Sequence, residues 1–222
     1  MPVGVPKISF LIKEEEEEEK PKVDWLDFYH ELHKRRLLFL CQDFNYEIVN
    51  QIAGLLLFLH LEDEDKQQHL FIHSRGGLAT HAMAIYDTMQ LVTLGVHTIG
   101  MGVVASMATL LLAGGAYTKR NAYAHTRIML HLPATRPFKG TASEVLGESK
   151  EVLRLTQTLV EILEERTGRP QDLIYKDMQK TTHFSAEEAQ AYGIIDEIGL
   201  GEIKLDMEIK RNRKKRKRKM KL

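Results

Sequence analysis

Along this chain short apolar runs alternate with segments whose apolar residues recur every three or four positions. RLLFLC (Arg36–Cys41), HLFI (His69–Ile72), VHTIGM (Val96–Met101) and RIMLH (Arg127–His131) are short and rich in extended-chain formers, the pattern of strands buried on both faces. Between them Ile48, Val49, Ile52, Leu55, Leu56 and Leu59 share one helical stripe, as do Met83, Ala84, Thr88, Leu91 and Val92 after Gly77. Thr141-Ala-Ser-Glu144 is a capping box and predicts a helix running to Thr167, where Gly168 and Pro170 stop it. Val145, Val152, Leu159 and Leu163 form its apolar stripe. At about 1.5 Å per residue this helix is roughly 40 Å long, enough to leave a compact domain and pack against another subunit. A second capping box, Ser185-Ala-Glu-Glu188, opens a short helix ending at Gly193. Strands alternating with helices predict an α/β fold with a largely parallel sheet.

One stretch raises the question of a membrane. Residues 88–118 contain no Asp, Glu, Lys or Arg, a run long enough to span a bilayer. Gln90, Thr93, His97, Thr98, Ser106 and Thr109 interrupt it, with Gly95, Gly100, Gly102, Gly114 and Gly115. That punctuation fits a buried strand–turn–helix, so no membrane span is expected.

Composition adds one domain of ordinary make-up: 222 residues, 43% hydrophobic and 28% charged. The single cysteine, Cys41, forms no internal disulfide, points to a reducing compartment and argues against a zinc-thiolate site. The zero net charge hides two opposite runs. Residues 210–222, KRNRKKRKRKMKL, carry ten Lys or Arg, while residues 14–19 are six consecutive glutamates. Such runs bury no apolar surface and read as solvated ends, which sets the organisation as a flexible segment 1–23, a folded domain 24–200 and a basic extension 201–222. The opening MPVGVPKISFLIKEEEEEE has neither the apolar core of a secretory signal nor the Arg/Ser-rich make-up of a transit peptide, so the protein is expected to work in the compartment where it is made.

Candidate chemistry begins with Ser106, in GVVASMATLLLAGG between a strand and a helix. Two readings stand. As an N-cap the hydroxyl would only satisfy the helix start. As a nucleophile it would sit among unpaired amides that stabilise an oxyanion, the logic of a nucleophile elbow without the G-x-S-x-G pattern. The turn His73-Ser-Arg-Gly-Gly77 lets the backbone approach a bound chain closely, and His131, at the end of a strand before Pro133, is placed to act as a general base or to be a structural hydrogen-bonder.

Taken in order, S-x-G-G, YDTMQ (Tyr86–Gln90), M-G-x-x-A-S-M (Met101–Met107), R-x-M-L-H-x-P (Arg127–Pro133) and S-A-x-E-A-x-x-Y-G-I-I-D (Ser185–Asp196) resemble the proteolytic-subunit family of the Clp protease, ClpP, over roughly residues 24–200. MPVGVPK and RTGRP resemble its plastid-encoded members, which implies a chloroplast stromal location. The resemblance implies a ClpP/crotonase-like superhelix of β-β-α units with a projecting handle helix, Thr141–Thr167. It implies a serine endopeptidase needing no cofactor or metal, with Ser106 as nucleophile, His131 as base, and the amides of Gly77 and Met107 as oxyanion hole. Its partners would be a Clp-family ring ATPase, homologous subunits in two stacked heptameric rings, and unfolded protein as substrate.

Three residues depart from the family pattern. Thr181 stands at the triad-acid position, Arg75 replaces the proline of S-P-G-G, and Ala108 replaces the glycine after S-M. Threonine accepts a hydrogen bond but carries no charge, and in the trypsin-type triad replacing the acid costs about 10⁴ in turnover; Asp177 or a water is an alternative orienter. The rival to an active subunit is therefore a catalytically impaired structural subunit of the same ring. A third reading takes the basic tail as a nucleic-acid arm. Nothing in the core resembles a nucleic-acid-reading module, so nucleic acid is not an expected partner. The chain has no G-x-x-x-x-G-K-[ST] loop, so any ATP is hydrolysed by a partner.

Overall fold

The computed structural model describes residues 7–11, 23–133 and 139–199, with side chains from Asp27 onward. The glutamate run, residues 134–138 and the basic tail lie outside the described residues. The chain divides into two units. In the first, β1 (Lys7–Leu11) pairs antiparallel with β2 (Val23–Asp27), and α1 (Phe28–Lys34) follows, capped by the Asp27 carboxylate on the Tyr29 amide. The sequence pattern does not predict these elements.

The second unit, Leu37–Gly201, holds the predicted alternation. Its elements are β3 (Leu37–Leu40), α2 (Tyr46–Glu62), β4 (Gln68–Ser74), α3 (Ala79–Leu91), β5 (Val96–Ala105), α4 (Met107–Ala113), β6 (Arg120–Ala122), β7 (Arg127–Leu130), α5 (Ala142–Thr167), α6 (Gln171–Gln179), β8 (Thr182–Phe184), α7 (Ala186–Tyr192) and β9 (Glu197–Ile198). The sheet runs β3-β4-β5-β6-β9, all parallel. The second half of β5 pairs instead with β7, parallel, and β8 closes antiparallel on β7. The α/β class and the largely parallel sheet are as expected.

Both capping boxes form in full, at Thr141/Glu144 and Ser185/Glu188, and both helices end on a left-handed glycine, Gly168 and Gly193. The α2 stripe is as read, with Val49, Ile52, Leu56 and Leu59 buried. The α3 stripe is not. Its buried face is His81, Ala82, Ile85, Tyr86 and Met89, where the Tyr86 ring packs against Gly114 at the end of α4; of the predicted stripe Val92 is buried, Met83 and Thr88 are half-buried, and Ala84 and Leu91 are exposed. On α5 only Thr156, Leu159, Val160 and Leu163 are buried; of the predicted stripe Val152 is half-buried, and Val145 lies in residues 142–151, all of them exposed. The uncharged stretch 88–118 holds the end of α3, all of β5 and all of α4, and α4 is buried at every position. Among the described residues no helix is long and apolar enough to cross a membrane.

Two polar clusters lock the sheet. Arg120, nearly buried, binds Asp196 through Nε and Nη2 at 2.9 and 2.6 Å and donates Nη1 to the carbonyls of Arg166 and Gly193, tying β6 to the ends of α5 and α7. His69 and His97 are register partners on β4 and β5 with Nδ1 atoms 3.2 Å apart. Asn121 donates its Nδ2 to Gly199 O, so its Oδ1 accepts from His97 Nε2 at 3.2 Å. His97 Nδ1 is then the acceptor and His69 Nδ1–H the donor, with both rings neutral. Burial, the His97 ring and Lys119 lower the His69 pKa to about 4, and burial lowers that of His97.

Two stability outcomes follow. Below pH 6.5 the unfolded chain protonates His69 while the folded chain does not, so stability falls as pH drops from about 6.5 to 4, by on the order of 3 kcal/mol from His69 alone. Urea midpoints measured across pH 4–7 should show this slope, and a His69→Asn/His97→Asn variant should flatten it. Asp196→Ala leaves the Arg120 guanidinium buried without its counter-charge and should lower stability by about 3–5 kcal/mol in the same assay.

Candidate active site

The carboxyl ends of three neighbouring strands, β4, β5 and β7, come together around Ser106. At Ser106 the chain turns from β5 into α4 through φ 59° and ψ −125°, a left-handed conformation that costs a non-glycine residue about 1–3 kcal/mol. Specific bonds hold it there. Ser106 N–H donates to Met129 O of β7 at 2.9 Å, and Ser106 O accepts from Thr109 N–H at 3.0 Å. The Thr109 hydroxyl is shared between Met129 O and Val104 O at 2.8 and 3.1 Å. The Ser106 hydroxyl makes no capping bond to α4, so the N-cap reading is rejected and the elbow geometry is present without the G-x-S-x-G pattern.

The glycine turn after β4 lies directly against this elbow. Gly76 has φ 97°, and a Cβ there would sit 2.9 Å from Ala105 O, 3.0 Å from Ser106 Cβ and 3.1 Å from Met107 N. Gly76 N–H donates to Ser74 Oγ at 3.0 Å, and Gly76 O accepts from Phe44 N–H at 2.9 Å. The peptide plane is thereby fixed, and because a trans peptide points its N–H opposite its carbonyl, the Gly77 N–H faces away from Phe44. No described hydrogen bond engages Gly77 N–H or Met107 N–H, the latter in the first turn of α4. Two amides without a described partner therefore stand on the turn that packs against the elbow and on the residue that follows Ser106.

His131 follows directly on β7, which ends at Leu130 rather than at His131 as the pattern predicts. The register pairs Ala105 with Met129, so the next steps along the two strands bring His131 beside the elbow, half-buried. No described hydrogen bond links it to the Ser106 hydroxyl; its Nδ1 lies against Leu132 O. The antiparallel pairing of β7 with β8 ends at Leu130 and Thr182, one residue short of His131 on one strand and of Thr181 on the other, the position that the resemblance gives to a third triad member. Thr181 is exposed, has φ 55°, and among the described residues makes no hydrogen bond to His131. Asp177, the alternative orienter, accepts instead from Tyr192 OH at 3.0 Å. Burial and that bond push the tyrosine pKa up. Asp177 faces a shallow cleft of about 420 Å³ lined by Arg169, His183 and Glu188 among others.

Several residues at the site were missed by the sequence reading. Phe44 clamps the glycine turn, and a Cβ on Gly77 would meet its Cβ at 2.7 Å. Gly102, φ 61°, forms a bulge that carries β5 from its pairing with β6 to its pairing with β7, and His73 Nδ1 accepts from Val103 N–H at 3.1 Å beside it. A glycine inside a strand pattern was the available signal. Of the other two departures, Arg75 pairs with Asp43 at 3.5 Å on the surface, worth little, and Ala108 is fully buried without disturbing the elbow. Among the described residues no group of three or more His, Cys, Asp or Glu is arranged to hold a metal.

Residues 17–202 match the family model described as Clp protease. The chain is 46% identical over 196 residues to the ATP-dependent Clp protease proteolytic subunits of Atropa belladonna and Cucumis sativus, covering 88% of this chain and 97–98% of theirs. It is 45% identical over the same length to that of Nicotiana tabacum.

The closeness of Gly76 to the elbow gives a direct test. Gly76→Ala should preserve folding by circular dichroism while lowering peptide hydrolysis by about tenfold or more, since its methyl displaces Ser106 Cβ or Met107 N.

Proposed function

The chain belongs to the Clp protease family, and on that premise we propose that it is a serine-type endopeptidase subunit whose nucleophile is Ser106. The observation that carries this reading is the Ser106 elbow, strained, uncapped and flanked by the free amides of Gly77 and Met107. Ser106 Oγ attacks the peptide carbonyl carbon while His131 Nε2 takes its proton. The tetrahedral oxyanion is held by the Gly77 and Met107 N–H groups. The imidazolium then protonates the leaving amine, and water, activated by the same imidazole, hydrolyses the acyl-enzyme.

The peptidase domain is assigned to residues 24–200. The exposed apolar side chains of α5, Val145, Leu146 and Leu153, suit its burial against homologous subunits, and the assembly proposed is two stacked heptameric rings around a closed chamber. A Clp-family ring ATPase supplies unfolded protein to it. The kinship with plant subunits supports a plastid, specifically stromal, setting. A second reading has one observation in its favour: Thr181, at the position that the resemblance gives to the triad acid, carries no charge, which suits a subunit that fills a ring position with little hydrolysis of its own.

A fluorophosphonate probe applied to the assembled particle separates the two. Labelling at Ser106, lost in Ser106→Ala together with about 10³-fold or more of the peptidase rate, is the expected outcome. A well-assembled particle left unlabelled at Ser106 would leave only the structural-subunit reading.

A further inference from the structure

The position that the resemblance gives to the triad acid holds Thr181, yet the imidazole of His131 is not without a partner. Its Nδ1 lies 2.5 Å from the main-chain carbonyl oxygen of the next residue, Leu132. We propose that this carbonyl, rather than any side chain, is the group that orients His131; the inference rests on the peptidase reading of Ser106 and His131.

A carbonyl oxygen only accepts, so the contact assigns the proton to Nδ1 and leaves the Nε2 lone pair free. That is the tautomer a general base needs toward Ser106. The carbonyl is itself fixed in direction by three restraints. Leu132 N–H donates to Met178 O, the last turn of α6, at 3.1 Å. The Leu132 side chain packs against the hydrophobic core. Pro133 follows, and a residue before proline is confined to extended backbone, which limits where its carbonyl points.

The competing orienters are otherwise placed. Asp177 directs its carboxylate to Tyr192 OH, and its main-chain carbonyl accepts from the Thr182 hydroxyl at 2.8 Å, which anchors the start of β8. Thr181 is exposed, and its amide bonds Met178 O at 3.3 Å. Leu132 is thus a positioning residue: it sets ring orientation and tautomer through a dipole, without the full negative charge that an aspartate places beside an imidazolium.

Two measurements on the assembled particle test this. The first reads the tautomer of His131 in the resting protein from the ¹⁵N shifts of labelled histidine, assigned by comparison with His131→Gln; a protonated Nδ1 is expected, and a protonated Nε2 overturns the proposal. The second follows kcat and KM. Pro133→Gly, which frees the Leu132 carbonyl, should lower kcat about tenfold or more with KM within about twofold, and Pro133→Gly/Thr181→Asp should recover most of that loss and move the pH–rate midpoint upward, because a carboxylate then takes the Nδ1 proton. Loss of tenfold or more in Thr181→Val would overturn the proposal by making the threonine hydroxyl the acceptor. Loss in Pro133→Gly that Thr181→Asp does not recover would overturn it too. If Pro133→Gly does not assemble, the tautomer decides. Absence of fluorophosphonate labelling of the wild type tests the peptidase reading instead, and leaves the resting-state tautomer readable.

Discussion

Everything at the centre of this molecule is arranged around one unfavourable backbone conformation, that of Ser106. A serine at φ 59° has no intrinsic reason to stay there, so the surroundings must hold it. Met129 takes its amide, Thr109 takes its carbonyl, and the Thr109 hydroxyl ties both neighbouring strands to the same point. The absence of a side chain on Gly76 is part of the same arrangement, since any Cβ would occupy the space the elbow uses. The strain keeps the hydroxyl out of the helix cap and leaves the adjacent amides unspent.

The sheet supplies the means of bringing distant residues to that point. The strand β5 serves two partners in succession, β6 before the Gly102 bulge and β7 after it. Without the bulge the strand would continue beside β6, and Ser106 would have no contact with Met129 or proximity to His131. The far end of the same strand carries the neutral His69–His97 pair, and the adjoining β6 carries the Arg120–Asp196 pair. The end that holds the site is left with free amides and one half-buried imidazole, while the charged and titrating groups that fasten the sheet lie at the other end.

The elements with strong local signals were legible. The long helix could be bounded from its capping box and its terminal glycine, because each of those residues acts within four positions of itself. Elements that depend on partners far away in the chain were not. The three-residue β6, RNA, has no apolar period, and the two-residue β9 is fastened to it by backbone bonds and by the side chains of Asp196 and Asn121. Pro170 was read as a stop, but it also opens α6 as its N-cap, a dual use that one sequence does not reveal. At the site, Ser106, His131, Gly77 and Met107 were found through the order of motifs. Phe44, Thr109 and the Leu132 carbonyl were not, since their contributions are made by backbone atoms or by a hydroxyl that reaches across strands.

The long helix α5 divides into two physically different halves. From Thr156 to Leu163 it is held by the core, whereas its first ten residues, Ala142–Glu151, are exposed on every side in the single chain. Ten residues alone do not sustain a helix in water, because nucleation is costly and the cap adds only about 1 kcal/mol. The exposed half is therefore helical by propagation from the anchored half, and its amides exchange with solvent along a gradient that steepens toward Thr141. Whatever covers this half meets a rod whose shape is already set but whose hold on that shape is weak, so covering it fixes the fold there at little entropic cost.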